Sequence, residues 1–408
     1  MRFSGPVALA LATLSSNVAA HPGHDLTEEI AERRAFLGSI KRASLDHCAD
    51  KLKARGVHDR NIRRRAGAVE NARKRLNIKK RDLATVLATS HDKSDLGYTT
   101  NTDAATLFSS QNSCVLTPEV TQGPYYVAGE YVRRNIIEDQ EGVNIVLDYQ
   151  VIDVDTCEPV PDVYLEMWHC NSTGVYSGIV ASGNGDSSDE TNIDNTWLRG
   201  IQPTDSDGVA QFESIFPGHY TSRATHIHLM AHTNATLLAN QTLGSDNYAS
   251  HVGQTFFDQD LITEVEKVAP YSTNTQELTT NAEDSIMAEE AATEGVDPVM
   301  EFTLLGDTVA DGLFAWLAFG INVTASSTIT PAAFLYAEGG VANSASGGGM
   351  GGGGGSPPNG TFPGGTPPSG AGGPPSDEAE AAATSSAVLA DPTTLVTSTA
   401  SASTRASC

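Results

Sequence analysis

Two histidines, His226 and His228, stand i, i+2 in the run Thr225 to Ala231 (THIHLMA). Alternate residues of a strand share a face, so the two imidazoles lie on one side of it, about 7 Å apart along the chain. Two imidazoles on one face supply half of a metal site. Tyr176, in Asn171 to Tyr176 (NSTGVY), and Tyr220, in Phe216 to Tyr220 (FPGHY), occupy glycine-flanked turns at the ends of other strands, where side chains can converge on one point. Phenolate is a hard, anionic oxygen donor, so a set of two His and two Tyr favours ferric iron over zinc or copper. An H-x-H pair in a strand can equally be a polar pair with no ion, and a Tyr after a Gly turn is often a packing residue. The conjunction argues for a site: Arg223 lies three residues before His226, and the FPGHY turn leads directly into the histidine strand.

The elements that must position these residues are short β runs. From about Cys114 to Thr324, apolar stretches alternate with Gly, Asp, Asn and Pro turns. Val143 to Val154 (VNIVLDYQVIDV) alternates apolar and polar residues, and Val163 to His169 (VYLEMWH) reads as its hairpin partner. Val209 to Ile215, Thr225 to Ala231, Met300 to Leu305 and Leu313 to Val323 complete the set. This spacing predicts a mainly β fold, an antiparallel β-sandwich. The acidic stretch Asp258 to Glu301 reads as loop with a short helix.

Outside the sandwich the chain changes character twice. Arg2, an apolar segment from Val7 to Leu14 and small residues at Val18, Ala19 and Ala20 have the plan of a secretory signal over 1–20, cleaved before His21. Residues 21–100 read as a basic helical segment, with a helical stripe from Leu26 to Ile40 and a dense basic face from Asp59 to Leu76. With the dibasic pair Lys80-Arg81 it is either a charged helical hairpin or a removable propeptide. The catalytic domain is placed at 101–337. From 338 to 408, Gly-, Pro- and Ser-rich low complexity cannot bury apolar surface, which predicts a disordered tail.

Charge follows the same division. Residues 22–93 carry a net charge of +8 and residues 94–408 a net of −34, within a total of −25. A basic arm ordinarily marks a nucleic-acid partner, but export argues against one. Attraction to the chain's own acidic body, or to that of a second subunit, is the expectation. The longest apolar run outside the leader, Leu313 to Ile321, is too short for a membrane span. Secretion also fits five Asn-x-Ser/Thr sequons, at Asn171, Asn234, Asn240, Asn322 and Asn359. In an oxidising compartment Cys48, Cys114, Cys157 and Cys170 would form disulfides whose pairing is open. A bond between Cys157 and Cys170, at opposite ends of one strand, is disfavoured, and Cys408 lies in the tail.

Six ordered motifs make the chain resemble the intradiol ring-cleavage dioxygenases, specifically a secreted fungal branch. They are Leu116 to Tyr126 (LTPEVTQGPYY), Tyr164 to Tyr176 (YLEMWHCNSTGVY), Leu198 to Gly208 (LRGIQPTDSDG), Phe216 to Tyr220, Arg223-x-x-His226-x-His228, and Gly253 to Phe257 (GQTFF). The resemblance covers about residues 112–325. It implies a mononuclear Fe(III) held by Tyr176, Tyr220, His226 and His228, with Tyr220 the phenolate displaced when substrate chelates. It places Arg223 and Gln254 in the substrate pocket. The implied substrates are a catechol-type aromatic diol and O2, and the product a muconate-type diacid. The spacer from Tyr220 to Arg223 is shorter than in intracellular members, and the basic segment does not match their dimerising helices. A homodimer is thus carried only as an expectation from the family. Two rival readings remain: a non-catalytic secreted phenol- or wall-polymer-binding protein, and a copper or zinc enzyme using the H-x-H pair.

Overall fold

Ile145, Leu147, Tyr149 and Val151 alternate with Val146, Asp148, Gln150 and Ile152 along one ten-residue strand, and all eight are buried. A strand buried on both faces needs a layer on each side, and the fold supplies two. The computed structural model describes residues 45–77, 113–115 and 125–344, apart from 182–183, 185, 244–247, 250 and 292–296. All of these lie in the unit Met1–Pro368. The predicted signal, the stripe from Leu26 to Ile40, the dibasic pair and nearly all of the predicted tail fall outside the described residues.

One sheet joins β1 (Ser113–Val115), β3 (Asn144–Asp153), β6 (Val209–Ile215), β10 (Glu301–Leu304) and β11 (Leu313–Ile321). The second, in the order β5-β4-β7-β9, joins β4 (Tyr164–Trp168), β5 (Arg199–Pro203), β7 (His226–His232) and β9 (His251–Phe256). Two small sheets add β2 (Val127–Ala128) with β13 (Ala333–Tyr336) and β14 (Gly339–Ala342), and β8 (Tyr248–Ala249) with β12 (Ser327–Thr328). The pairing of β14 with β13 carries ordered pairing past residue 338. Helices α1 (Ala49–Ala54) and α2 (Val57–Arg75) form the basic arm, and α3 (Gln259–Val265) and α4 (Ser285–Ala291) punctuate the acidic stretch. No described helix is long and apolar enough to cross a membrane.

The fold is a mainly β sandwich, and the second sheet is antiparallel throughout. In the first, β11 runs parallel to both β1 and β3. The expected hairpin of Val143–Val154 with Val163–His169 does not form. β3 pairs with β11 and β6, while β4 pairs with β5 and β7 in the opposite sheet. The inward side chains explain this: Leu147 and Tyr149 of β3 and Leu165 and Met167 of β4 enter one core from its two sides. The connection crosses between layers instead of turning within one, with Cys157 and Asp162 at positive φ.

The arm is the outer layer over the first sheet. Ile62, Val69 and Ala72 of α2 pack on Val146, Phe314 and Trp316, and Leu45, Leu52 and Val57 pack around Ile152. Cys48 is bonded to Cys157, and Cys170 is a buried free thiol. A cut at Lys80-Arg81 would therefore leave the arm tethered by that bond. Its basic residues meet the acidic body as expected: Arg60 pairs with Asp207, Arg75 with Glu213, and both Arg64 and Arg65 with Asp148.

Asp148 is fully buried and also accepts from Gln211 at 2.7 Å. Burial alone would raise its pKa, but the two guanidinium groups outweigh burial and hold it at about 2. Because the folded value lies below the unfolded one, this stability is present above pH ~4 and lost as pH falls towards 2. Asp148→Asn should cost about 3–5 kcal/mol at pH 7, as when one partner of a buried pair is removed, and should flatten the acid limb. Urea unfolding at pH 7 and pH 3 checks both effects.

Candidate metal centre

β7 presents Ile227, Leu229 and Ala231 to the inter-sheet core, so His226 and His228 face outward from the second sheet. Register builds a row across that face: Arg199 pairs with Trp168, Trp168 with His228, and His228 with Gln254. The Trp168 indole stacks on the His228 ring at 4.9 Å between centroids and 3° between planes. That stacking fixes the ring's orientation.

The two tyrosines arrive on loops that touch through glycine. Gly174 has φ +83°, and a Cβ there would lie 2.4 Å from the carbonyl oxygen of His219. A Cβ on Gly218 would lie 2.5 Å from that of Asn171. Neither position admits a side chain, and the close approach brings Tyr176 and Tyr220 together. Asn171 shapes the first loop, its Oδ1 accepting from the amides of Thr173 and Val175. Asn192 Nδ2 donates to the Tyr176 carbonyl at 2.8 Å. Arg199 Nη2 donates to the Ser177 carbonyl at 2.6 Å. The second loop turns tightly, with Ser222 at φ +77° and the Arg223 amide donating to Tyr220 O.

All four predicted ligands meet. Tyr176 Oη lies 3.4 Å from Tyr220 Oη and 3.5 Å from His226 Nε2. Tyr220 Oη is 3.3 Å from His226 Nε2, which is 3.1 Å from His228 Nε2. All four residues are buried. His226 Nδ1 donates to the Ala224 carbonyl at 2.7 Å. The neutral ring therefore turns an unprotonated Nε2 towards the cluster. Tyr125 stacks on Tyr176 at 4.7 Å. Burial raises the Tyr176 pKa well above the usual value, with the neighbouring Tyr220 adding to the rise. Burial also raises Tyr220, opposed by the Arg223 guanidinium.

Arg223 and Gln254 stand together beside the cluster. Arg223 Nη2 donates to Gln254 Oε1, and Arg223 Nε donates to Asp284 Oδ2 at 2.8 Å. Gln254 Nε2 is buried and has no hydrogen-bond partner among the described residues. Asp284 Oδ2 also accepts from the Ala224 amide at 2.7 Å, while Oδ1 accepts from the Ile286 and Met287 amides in the first turn of α4. One carboxylate thus ties a helix start to the strand entry that bears the histidines.

Sequence reasoning gave Trp168, Arg199 and Asp284 no role. An Asp before an amphipathic turn does signal a helix start, but its second bond, to Arg223, is a tertiary fact. The roles of Trp168 and Arg199 follow from strand register, which the pattern alone does not set. The remaining described histidines have other engagements. His169 bonds Ser214, His219 bonds Glu266, His232 bonds Glu166, and His251 Nε2 accepts from the Asn322 amide. His47, Cys48 and Cys157 also bring ligand atoms within 4.8 Å, but the two sulfurs are bonded to each other.

Residues 121–294 match the family described as Dioxygenase (Dioxygenase_C). The chain is 31% identical over 109 residues to a catechol 1,2-dioxygenase of Acinetobacter baylyi, covering 26% of this chain and 32% of the relative. A second catechol 1,2-dioxygenase, from Pseudomonas sp. (strain EST1001), is 39% identical over 66 residues, 15% of this chain and 22% of the relative. Among solved structures, an intradiol ring-cleavage dioxygenase from Tetranychus urticae is 28% identical with a TM-score of 0.42, over 52% of this chain and 96% of that one. The chain belongs to the intradiol ring-cleavage dioxygenase family. It spans about a third or less of the length of the curated relatives it matches. The match to this dioxygenase family takes in Tyr176, Tyr220, Arg223, His226, His228 and Gln254.

Asp284→Ala would strand the Arg223 charge in a fully buried position. The expected loss is about 3–5 kcal/mol, read by chemical denaturation. Trp168→Leu, which keeps apolar bulk but removes the stacking plane, should leave the unfolding midpoint closer to that of the parent.

Proposed function

We propose that this chain is a secreted, ferric-iron-dependent intradiol dioxygenase that cleaves catechol-type aromatic diols with O2. The observation that carries the reading is the meeting of four donor atoms, two phenolic and two imidazole, at neighbour distances of 3.1–3.5 Å. A tetrahedral ion with ligands about 2.0–2.1 Å away has donor–donor edges of about 3.3–3.4 Å, so the cage has the right size. Its chemistry fits as well. Two phenolates neutralise two of three positive charges and favour a hard trivalent cation, and the His226 tautomer leaves a lone pair facing inward. Tyr176, Tyr220, His226 and His228 would hold the iron.

Bound ferric iron would draw electron density from a chelated catecholate, opening the ring carbon to O2. The residues supply the rest. A catechol must lose two protons to bind through both oxygens, and Tyr220 Oη is placed to accept one as it leaves the cage. The Arg223 charge, buried and fixed by Asp284, offsets negative charge on the ring. Gln254, held at Oε1 by Arg223, keeps its Nε2 hydrogens for a substrate oxygen. Trp168, Tyr125 and Tyr176 wall the site with aromatic surface and exclude water.

The signal-like residues 1–20 and the Cys48–Cys157 bond support secretion. Asn234 is an exposed sequon suited to a glycan, whereas the Asn171 amide is engaged in its turn. An aromatic diol and O2 are the expected small-molecule partners, with no nucleic acid or membrane, and a homodimer as in other members.

Purified protein should hold one iron per chain, be red to burgundy, and consume O2 with catechol, protocatechuate or hydroxyquinol to give a diacid. Tyr176→Phe should shift the visible band, and His226→Ala should lose stoichiometric iron. Because both phenols are held protonated by burial, iron uptake at pH 7 should release about two protons per ion, countable in weak buffer. A colourless protein with no O2 uptake would favour the phenol-binding alternative, and zinc or copper in the cage would favour the other rival.

A further inference from the structure

On the outer face of the first sheet, away from the metal centre, α2 leaves a cleft of about 290 Å³. Its walls carry four guanidinium groups, those of Arg63, Arg64, Arg75 and Arg134, and none of its lining residues is a carboxylate. This is unusual on a chain of net charge −25. The nearby acids do not balance it. Asp148 is shared by Arg64 and Arg65, and Glu213 by Arg75 and Arg134. Arg63 is exposed and has no ion pair or hydrogen bond among the described residues. Five guanidinium groups thus face two carboxylates.

A second observation concerns the floor. Gly67 lies in the interior of α2, where glycine is less favourable than alanine. Packing does not require it, because a Cβ there would meet nothing within 4 Å. With Ala68 and Ala72 beside it, the glycine keeps the space under the arginines open.

We propose that this cleft binds a small multivalent oxyanion. The volume lies near the lower end for small-molecule sites. Arginine forks match carboxylate and phosphate oxygens two at a time, and the excess of guanidinium over carboxylate calls for more than one negative charge. Polycarboxylates and polyphosphates share this chemistry. The site stands apart from the iron reading, since it lies on the other layer of the sandwich and uses none of the metal-centre residues.

The test is calorimetric titration of the full-length protein with citrate and with inorganic pyrophosphate at fixed ionic strength, with acetate as the monovalent control. Saturable 1:1 binding of either probe, absent with acetate, is expected. Citrate alone or pyrophosphate alone would identify the oxyanion class. Arg63→Gln, which removes no described contact, should weaken binding by about tenfold or more. Gly67→Leu should block it while the far-ultraviolet spectrum and melting temperature report an intact fold. Heats no larger than those of acetate would overturn the proposal, as would affinity unchanged in both variants.

Discussion

The structure depends on one costly arrangement: two phenols and two imidazoles withdrawn from water and set with their polar atoms 3.1–3.5 Å apart. Buried polar atoms need partners, and buried phenols resist ionising. Left to themselves these four would share hydrogen bonds that satisfy them only in part. A small, highly charged cation reverses the balance, because it compensates phenolate charge in a low-dielectric space. The surroundings prepare for that charge: Arg223 opposes the burial of Tyr220, and Asp284 holds Arg223 in place.

The sandwich makes the arrangement rigid. Strand register sets Trp168, His228 and Gln254 in one row, so the metal-facing imidazole is flanked by a stacked ring and an amide on rigid neighbours. Gly174 and Gly218 let two loops touch where any Cβ would collide with backbone. The first sheet is held in turn by the basic arm, whose arginines ring Asp148 and whose Cys48 is bonded to Cys157. The acidic body and basic arm are two halves of one electrostatic design, and the cleft beside Gly67 is where their pairing is left incomplete.

Much of this was legible in the residues. The i, i+2 histidines face one way because β7 is a strand, and the glycine turns before Tyr176 and Tyr220 bring the phenols to them. The strand runs at Val209–Ile215 and Leu313–Val323 were placed nearly where they occur. The pairing of β3 was not legible, because alternation reports which residues face a core and says nothing about which strand lies alongside. The Cys48–Cys157 bond joins residues 109 apart and needed tertiary structure. The Asp284–Arg223 pair bridges 61 residues across a stretch whose acidity gave no reason to single out one carboxylate.

The central claim is that one ion is shared by four side chains distant in sequence. Anomalous diffraction from crystals of the purified protein, recorded on both sides of the iron absorption edge, tests it most directly. The account predicts a single peak about 2 Å from Tyr176 Oη, Tyr220 Oη, His226 Nε2 and His228 Nε2. A peak elsewhere, a signal at the zinc or copper edge only, or a cage with no anomalous density in protein that carries iron would contradict it.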